Sequence, residues 1–415
     1  MRLSRGTLEH AAIVLARLLE FTAPADETLS RYFRGEPGLG RQERGFIAEA
    51  VFAVLRRRRS LEAAAGSAAP DALVAAAAIK VLGLSLRSLE GLVDPRLAER
   101  IRSSRFSELP QALRADLPDW LWERLAAQYG EPEAERIAQG MLNPAPLDLR
   151  VNLARTSRED ARARLARDGI EGQPTPFSPA GLRLAGKPAI NRHALFRDGL
   201  LEVQDEGSQI LAWLVAPRRG EMVADYCAGA GGKTLALAML MRGTGRVYAM
   251  DVSARRLAAL GPRAARAGVT SVHIIMLSGD NDPRAKRLAG KLDRVLVDAP
   301  CSGFGTLRRN PDLKWRQPAQ AIVELAQKQR AILRAASHLV KPGGRLVYAT
   351  CSILGAENEA IAEGFASAHP DFAPLSCGEL LAAQRIPLQT GLQLRLQPHL
   401  HGTDGFFAAA FERRP

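Results

Sequence analysis

A chain of 415 residues is longer than one hydrophobic core ordinarily serves, so two or three domains are expected. Its apolar fraction, 47%, is that of a globular protein, and no apolar stretch approaches the roughly 20 residues of a membrane helix, which excludes a spanning segment. The net charge of +13 is unevenly placed: residues 1–140 carry 20 Lys and Arg against 19 Asp and Glu, leaving 37 against 25 for the rest, so a nucleic acid is the expected partner of the later part.

From residue 8 to about 130 the pattern is helical. Leu8, Ala12, Leu15, Leu18 and Leu19 recur at helix spacing, as do Ile47, Val51, Val54 and Leu55, and a helical bundle is expected. The run Arg56–Arg59 reads either as the solvated end of one helix or as an RNA contact. Pro118 suits the first turn of a helix and Gly130 its end, while Pro144 and Pro146 introduce an extended run, Leu147–Asn152. A domain boundary near 130–145 follows. A helix near Arg158–Asp168 and short strands near Leu182 and Leu200 then predict a small α/β module over 136–205, between a helical domain over 1–135 and a third domain over 206–415.

Beyond residue 205, strand-like runs alternate with helical ones. "EMVADYCAG", "RVYAMDVS", "VHIIMLSGD", "LDRVLVDAP" and "GRLVYATCS" predict a doubly wound α/β sheet, in which ligands bind beyond the carboxyl ends of the strands. Those ends carry Asp225, Asp251, Asp280, Asp298 and Cys351. "DYCAGAGGKT" places a glycine-rich turn between a strand and a helix, where a ligand can approach backbone N–H groups at a positive helix end. A Walker A loop needs glycine where Cys227 stands, and a dinucleotide fingerprint needs glycine where Thr234 stands. S-adenosylmethionine fits. Its expected wall is Asp225, Cys227, Ala228, Gly229, Ala230, Gly231, Gly232 and Lys233, completed by Asp251, Arg256, Asp280 and Asp298.

The four cysteines, Cys227, Cys301, Cys351 and Cys377, form no C-x-x-C pair and have no histidine cluster nearby, so no metal site is expected, and a cytoplasmic, reducing setting is. Cys301 and Cys351 close two strands of one predicted sheet, which brings both to the edge of the glycine loop. Thiols there suit methylation of a pyrimidine at C5, a carbon that becomes nucleophilic only after a nucleophile has added at C6. Asp298, three residues before Cys301, is placed, where it holds or receives a proton, to bond N3 and stabilise the charge that develops. Spacing does not say which cysteine attacks.

These motifs, "DYCAGAGGKT", "DVSARRL", "LVDAPCSGFGTLRRNPDLKW", "ATCS" and "VQDEGSQ", resemble in order those of the RsmB/Sun family of RNA cytosine-C5 methyltransferases. "LGRQERGFIAEAVFAVLRRRRSLE" is similar to the NusB-type RNA-binding domain of RsmB-like members, and "HGTDGFFAAAFER" to their closing strands. The resemblance implies a Rossmann-like, S-adenosylmethionine-dependent catalytic domain behind a NusB-like all-α domain and a small RRM-like module. It makes Cys351 the nucleophile, Cys301 the thiol that helps release product, Asp298 the N3 partner, Lys233 an active-site lysine, Asp251 the ribose ligand and Asp280 the adenine-side acid. Ala230 departs from the proline usual at that place. DNA cytosine methyltransferases attack from a Pro-Cys motif, so Cys301 is the rival nucleophile.

After Cys301, "TLRRNPDLKWRQ" gathers Arg308, Arg309, Lys314, Trp315 and Arg316, a set that suits a single-stranded or flipped base. The implied substrate is 16S rRNA, with tRNA or 23S rRNA as the alternative, and an assembly factor without turnover as the reading from another class. Neither DNA nor a membrane is an expected partner, and a monomer is expected.

Overall fold

The computed structural model describes residues 3–279 and 282–415 and divides into two compact units. The first takes in the chain up to Pro144 together with Thr306–Ala319. Its helices include Arg5–Leu18, Ala25–Gly35, Arg41–Ala65, Pro70–Lys80, Pro95–Ser103, Asp119–Tyr129 and Glu131–Met141. Ser4 caps the first by accepting from the Thr7 N–H. Ala11, Val14, Leu15 and Leu18 from that helix meet Ile47, Val51, Val54 and Leu55 from the third in one core, as the i, i+3, i+4 spacing requires.

The arginine run corrects the expectation of a helix end. Helix Arg41–Ala65 continues through it, with a break at Arg57 (φ −123°, ψ 35°). A break there uncouples the Arg56 carbonyl from the Ser60 N–H, which would pair in an unbroken helix. Both groups find side chains instead: Lys314 Nζ donates to Arg56 O (2.8 Å), and the Ser60 N–H donates to Asp116 Oδ1 (2.9 Å). Trp315 Nε1 donates to Leu55 O at 2.7 Å.

Lys314 and Trp315 therefore do not form the expected RNA-stacking face. Lys314 is buried and Trp315 half-buried, because carbonyls freed by the kink recruit their donors. Arg58 and Arg59 are likewise engaged inside the unit, with Glu62 (2.7 Å) and Asp119 (2.7 Å).

Burial pulls Lys314 down from 10.5 to about 7, against the opposing pull of Asp116. The unfolded chain binds this proton below pH 10.5 and the folded chain only below about 7, so folding loses stability as pH falls through that window and is level beneath it. Accordingly, Lys314→Met is expected to flatten the rise of stability between pH 7 and 10. It also costs roughly 1–3 kcal/mol through the orphaned carbonyl, read by urea titration across pH beside the parent.

The second unit, Ala145–Gly305 with Gln320–Pro415, contains two sheets. The smaller has strands β1 (Leu147–Val151), β2 (Gly172–Pro174), β3 (Gly181–Leu184) and β4 (Leu201–Val203) in the order β2-β3-β1-β4, all antiparallel. Helix Arg158–Arg167, capped by Ser157, buries Ala161 and Leu165 in the same core as Leu149, Leu182 and Leu201.

The larger sheet comprises β5 (Met222–Asp225), β6 (Arg246–Asp251), β7 (Val272–Met276), β8 (Leu292–Asp298), β9 (Val340–Thr350), β10 (Phe372–Leu375), β11 (Leu394–Leu396) and β12 (Phe406–Arg413). Its order is β10-β12-β9-β8-β5-β6-β7, with β11 beside β12. Strands β5 to β9 pair in parallel and β12 runs antiparallel to β9. Val223, Val247, Leu296 and Val347 are wholly buried, which is why these strands read as unbroken apolar runs. The chain winds outward from β5 to β7, then returns to β8 on the other side of β5. The order reverses between β8 and β5, the place at which sheets of this kind bind ligands, and Asp225 and Asp298 close the two strands there.

Candidate active site

Between β5 and helix Gly232–Leu240 the chain turns through Gly229 (φ 55°) and Gly231 (φ 85°), a left-handed conformation that side chains resist. A Cβ at Gly231 would lie 2.1 Å from Leu260 Cδ1, so the glycine also lets the neighbouring helix pack closely. The Gly229 N–H donates to Asp251 Oδ2 (2.8 Å), and the Ser253 N–H to Asp251 Oδ1 (2.8 Å). Arg256 stands 3.9 Å from Asp251. Asp251 thus ties the end of β6 to the loop.

The loop's carbonyls are held by two arginines, one on the smaller sheet and one on the helix Leu260–Ala267 braced against it. Arg150 on β1 donates to Gly232 O (2.7 Å) and bonds Gln204. Arg263 donates to Ala230 O (2.6 Å) and to Glu202 Oε2 (2.8 Å), and Arg266 bonds the other Glu202 oxygen. Arg150 and Glu202 sit opposite each other across β1 and β4. Burial draws the Arg150 guanidinium down to about 10, while Glu202 works the other way. Ala230, which lacks the ring that would fix φ, has its carbonyl fixed by a guanidinium.

Two further carboxylates, Asp225 and Asp298, stand at the strand ends beside this loop. Asp225 is buried and accepts from Thr234 Oγ1 (2.8 Å); burial, then the charge of Asp298, pushes it up to about 7. Its Oδ1 is buried with no hydrogen-bond partner among the described residues. Asp298 Oδ2 accepts from Lys233 Nζ at 2.7 Å. Burial lowers Lys233, but Asp298 outweighs it and the ammonium is held above its ordinary range. Burial, then Asp225, pushes the half-buried Cys227 thiol well up, so it remains a thiol. Asp280 lies outside the described residues.

Beyond β8 and β9, Cys301 Sγ and Cys351 Sγ stand 3.3 Å apart, both half-buried. The contact with Cys351, followed by burial, pushes Cys301 well above the usual thiol range. The Gly305 N–H donates to Cys351 O (2.8 Å), and the Gly405 N–H to Gly305 O (2.8 Å). A Cβ on Gly305 would lie 2.1 Å from Gly405 O and 2.8 Å from Cys351 O, backbone atoms with nowhere to move.

Cys301, Cys351, Asp298, Lys233, Asp225, Cys227, Gly229, Asp251 and Arg256 therefore lie along one edge of one sheet. Sequence reasoning passed over Arg150, Glu202, Arg263, Gly305 and Gly405. Only Gly305 left a local signal, as the last glycine of "CSGFG". Arg150, Glu202 and Arg263 are polar residues whose partners lie 33 or more positions away, as in Arg263 with Ala230 and Arg150 with Gly232, and Gly405 meets Gly305 only in the fold.

The match to known proteins agrees with this geometry. Residues 212–412 match the family model of the 16S rRNA methyltransferase RsmB/F, and residues 117–191 that of the RsmF/B-like ferredoxin-like domain. A probable ribosomal RNA small subunit methyltransferase B of Synechocystis is 39% identical over 71% of this chain and 66% of that protein, so the alignment spans just under two thirds of the relative. The ribosomal RNA small subunit methyltransferase B of Sodalis glossinidius is 34% identical over 82% of this chain and 76% of its own. A solved structure, PH0851, covers 100% of both chains with a TM-score of 0.80 at 26% identity. With a doubly wound sheet, a glycine loop at its switch point and sequence agreement that extends over most of both chains, this chain belongs to the RsmB/F family of 16S rRNA methyltransferases.

Proposed function

We propose that this protein transfers a methyl group from S-adenosylmethionine to C5 of a cytosine in 16S rRNA. The observation that carries the reading is the pair of thiols 3.3 Å apart on the strand edge that also bears the Lys233–Asp298 pair.

The residues fit the methyl donor. Gly229 and Gly231 leave the loop open to close backbone approach, Asp251 supplies negative charge for a cationic ligand, and Asp225 has an acceptor oxygen to spare. When bound, the donor supplies an electrophilic methyl on a sulfonium. Asp251 would accept from the ribose hydroxyls, with Arg256 3.9 Å away on the same edge.

For the base, Cys351 Sγ gives up its proton and adds to C6, while Asp298, oriented by Lys233, carries a proton to N3 where charge develops. C5 then takes the methyl group. Cys301, which keeps its proton until then, stands beside the sulfur that must later leave: it protonates Cys351 Sγ as the C6–S bond breaks, and the Cys301 thiolate so formed takes up the C5 proton. A paired cytosine exposes neither face of C6, so the base leaves its stack to reach the thiol. The excess of cations after residue 140 supports an RNA partner.

The deciding experiment is methyl transfer from labelled S-adenosylmethionine to 16S rRNA, with the modified base located by bisulfite sequencing. No 5-methylcytosine in RNA treated with the pure protein refutes the reading.

A smaller effect tests the loop. Arg263→Ala removes the guanidinium from Ala230 O and is expected to weaken methyl-donor binding about tenfold, the worth of one charge-assisted bond, while RNA affinity is unchanged. Calorimetry with each ligand checks it.

A further inference from the structure

Each active-site cysteine is followed by a serine, and both serines meet the same buried carboxylate. Glu357 is 0% exposed. Its Oε2 accepts from Ser302 Oγ (2.6 Å) and Ser352 Oγ (2.5 Å). Its Oε1 accepts from the Ser302 N–H (2.8 Å) and from Gln329 Nε2 (3.0 Å), and Gln329 also donates to Pro300 O (3.0 Å). The two serine hydroxyls stand 3.2 Å apart. All four of these donors are neutral, so the carboxylate is anchored by geometry and not by a counter-charge.

Glu357 is itself fixed from two directions. Tyr348 OH donates to its carbonyl (2.6 Å), and the next residue, Asn358, donates to Ser352 O (3.0 Å) and accepts from Thr350 Oγ1 (2.5 Å). The loops after β8 and β9 have no other side chain bonded to both serines among the described contacts. A carboxylate can do this because it offers two oxygens and about four lone-pair sites.

We propose that Glu357 is a positioning residue: by clamping Ser302 and Ser352 it sets the separation of the Cys301 and Cys351 sulfurs, and thereby the balance between formation of the C6 adduct and its release. This rests on the function proposed above. Attack needs the Cys351 sulfur in line with C6, and release needs the Cys301 proton within reach of the same reaction centre. A shared carboxylate couples the two requirements.

The test uses Glu357→Gln, which keeps the volume but replaces one acceptor oxygen by a donor, and Glu357→Asp, which is too short to reach both serines. Ser352→Ala, which releases only the Cys351 loop, is the milder variant should either fail to fold. The expected result for Glu357→Gln is a fall in kcat of about 100-fold, the cost of roughly a 1 Å misplacement, with RNA and methyl-donor affinities unchanged. The covalent fraction trapped on RNA containing 5-fluorocytosine, whose fluorine cannot leave as a proton does, falls in step. Glu357→Asp does not rescue.

A readout independent of turnover separates this proposal from the function itself. Phenylarsine oxide bridges two close thiols, and mass spectrometry counts the Cys301–Cys351 bridge. The parent forms the bridge whether or not it methylates RNA, and Glu357→Gln and Ser352→Ala form it at least tenfold more slowly. Folded variants that bridge, trap and turn over like the parent overturn the proposal, as does a loss of kcat that merely follows the folded fraction.

Discussion

Cys351→Ala is expected to abolish both product and covalent RNA–protein adduct, whereas Cys301→Ala is expected to form the adduct and release it slowly. Without a nucleophile at C6, C5 remains too electron-poor to accept a methyl group, so loss of Cys351 removes the covalent route, an effect of order 10⁴-fold or more. Loss of Cys301 leaves addition intact and removes the thiol that lies 3.3 Å from the leaving sulfur. Denaturing gel shift with labelled RNA distinguishes the two, since only a covalent species survives. An adduct with Cys351→Ala and none with Cys301→Ala reverses the assignment.

Asp298→Asn is expected to lower kcat by about 10²- to 10⁴-fold, the range of a lost general acid–base group. The carboxamide keeps the shape but has no acid–base capacity at N3, and it leaves Lys233 without its 2.7 Å partner in a buried site. Lys233 then falls from its raised position, because burial is no longer opposed by that charge. The cost appears in kcat and not in RNA affinity, and single-turnover methylation across pH 6–9 measures it. A variant within twofold of the parent excludes Asp298 from the chemistry.

The large sheet was legible because its central strands β5, β6, β8 and β9 are buried on both faces where they pair, and continuous apolar runs ending in Asp or Cys mark both strand and site edge. The glycine loop was legible for a local reason too, since Gly229 and Gly231 take conformations that few other residues accept. Lys314 and Trp315 misled for the opposite reason. A basic–aromatic cluster looks alike whether it meets phosphate or capped carbonyls, and only the break at Arg57, more than 250 positions earlier, decides between them. The Arg150–Glu202–Arg263 brace depends on strand pairing across the smaller sheet, and no short window of sequence contains it.

Two sulfurs in contact ordinarily invite oxidation to a disulfide. Peroxide attack and thiol exchange both proceed through the thiolate, and Cys301 is denied that form by its neighbour and by burial. Cys301 is therefore the less ready of the two to start that reaction, whereas Cys351, the attacking sulfur, is the one an oxidant meets first. A neighbour 3.3 Å away can then close the disulfide, so the same closeness that serves release ties the enzyme to a reducing solution.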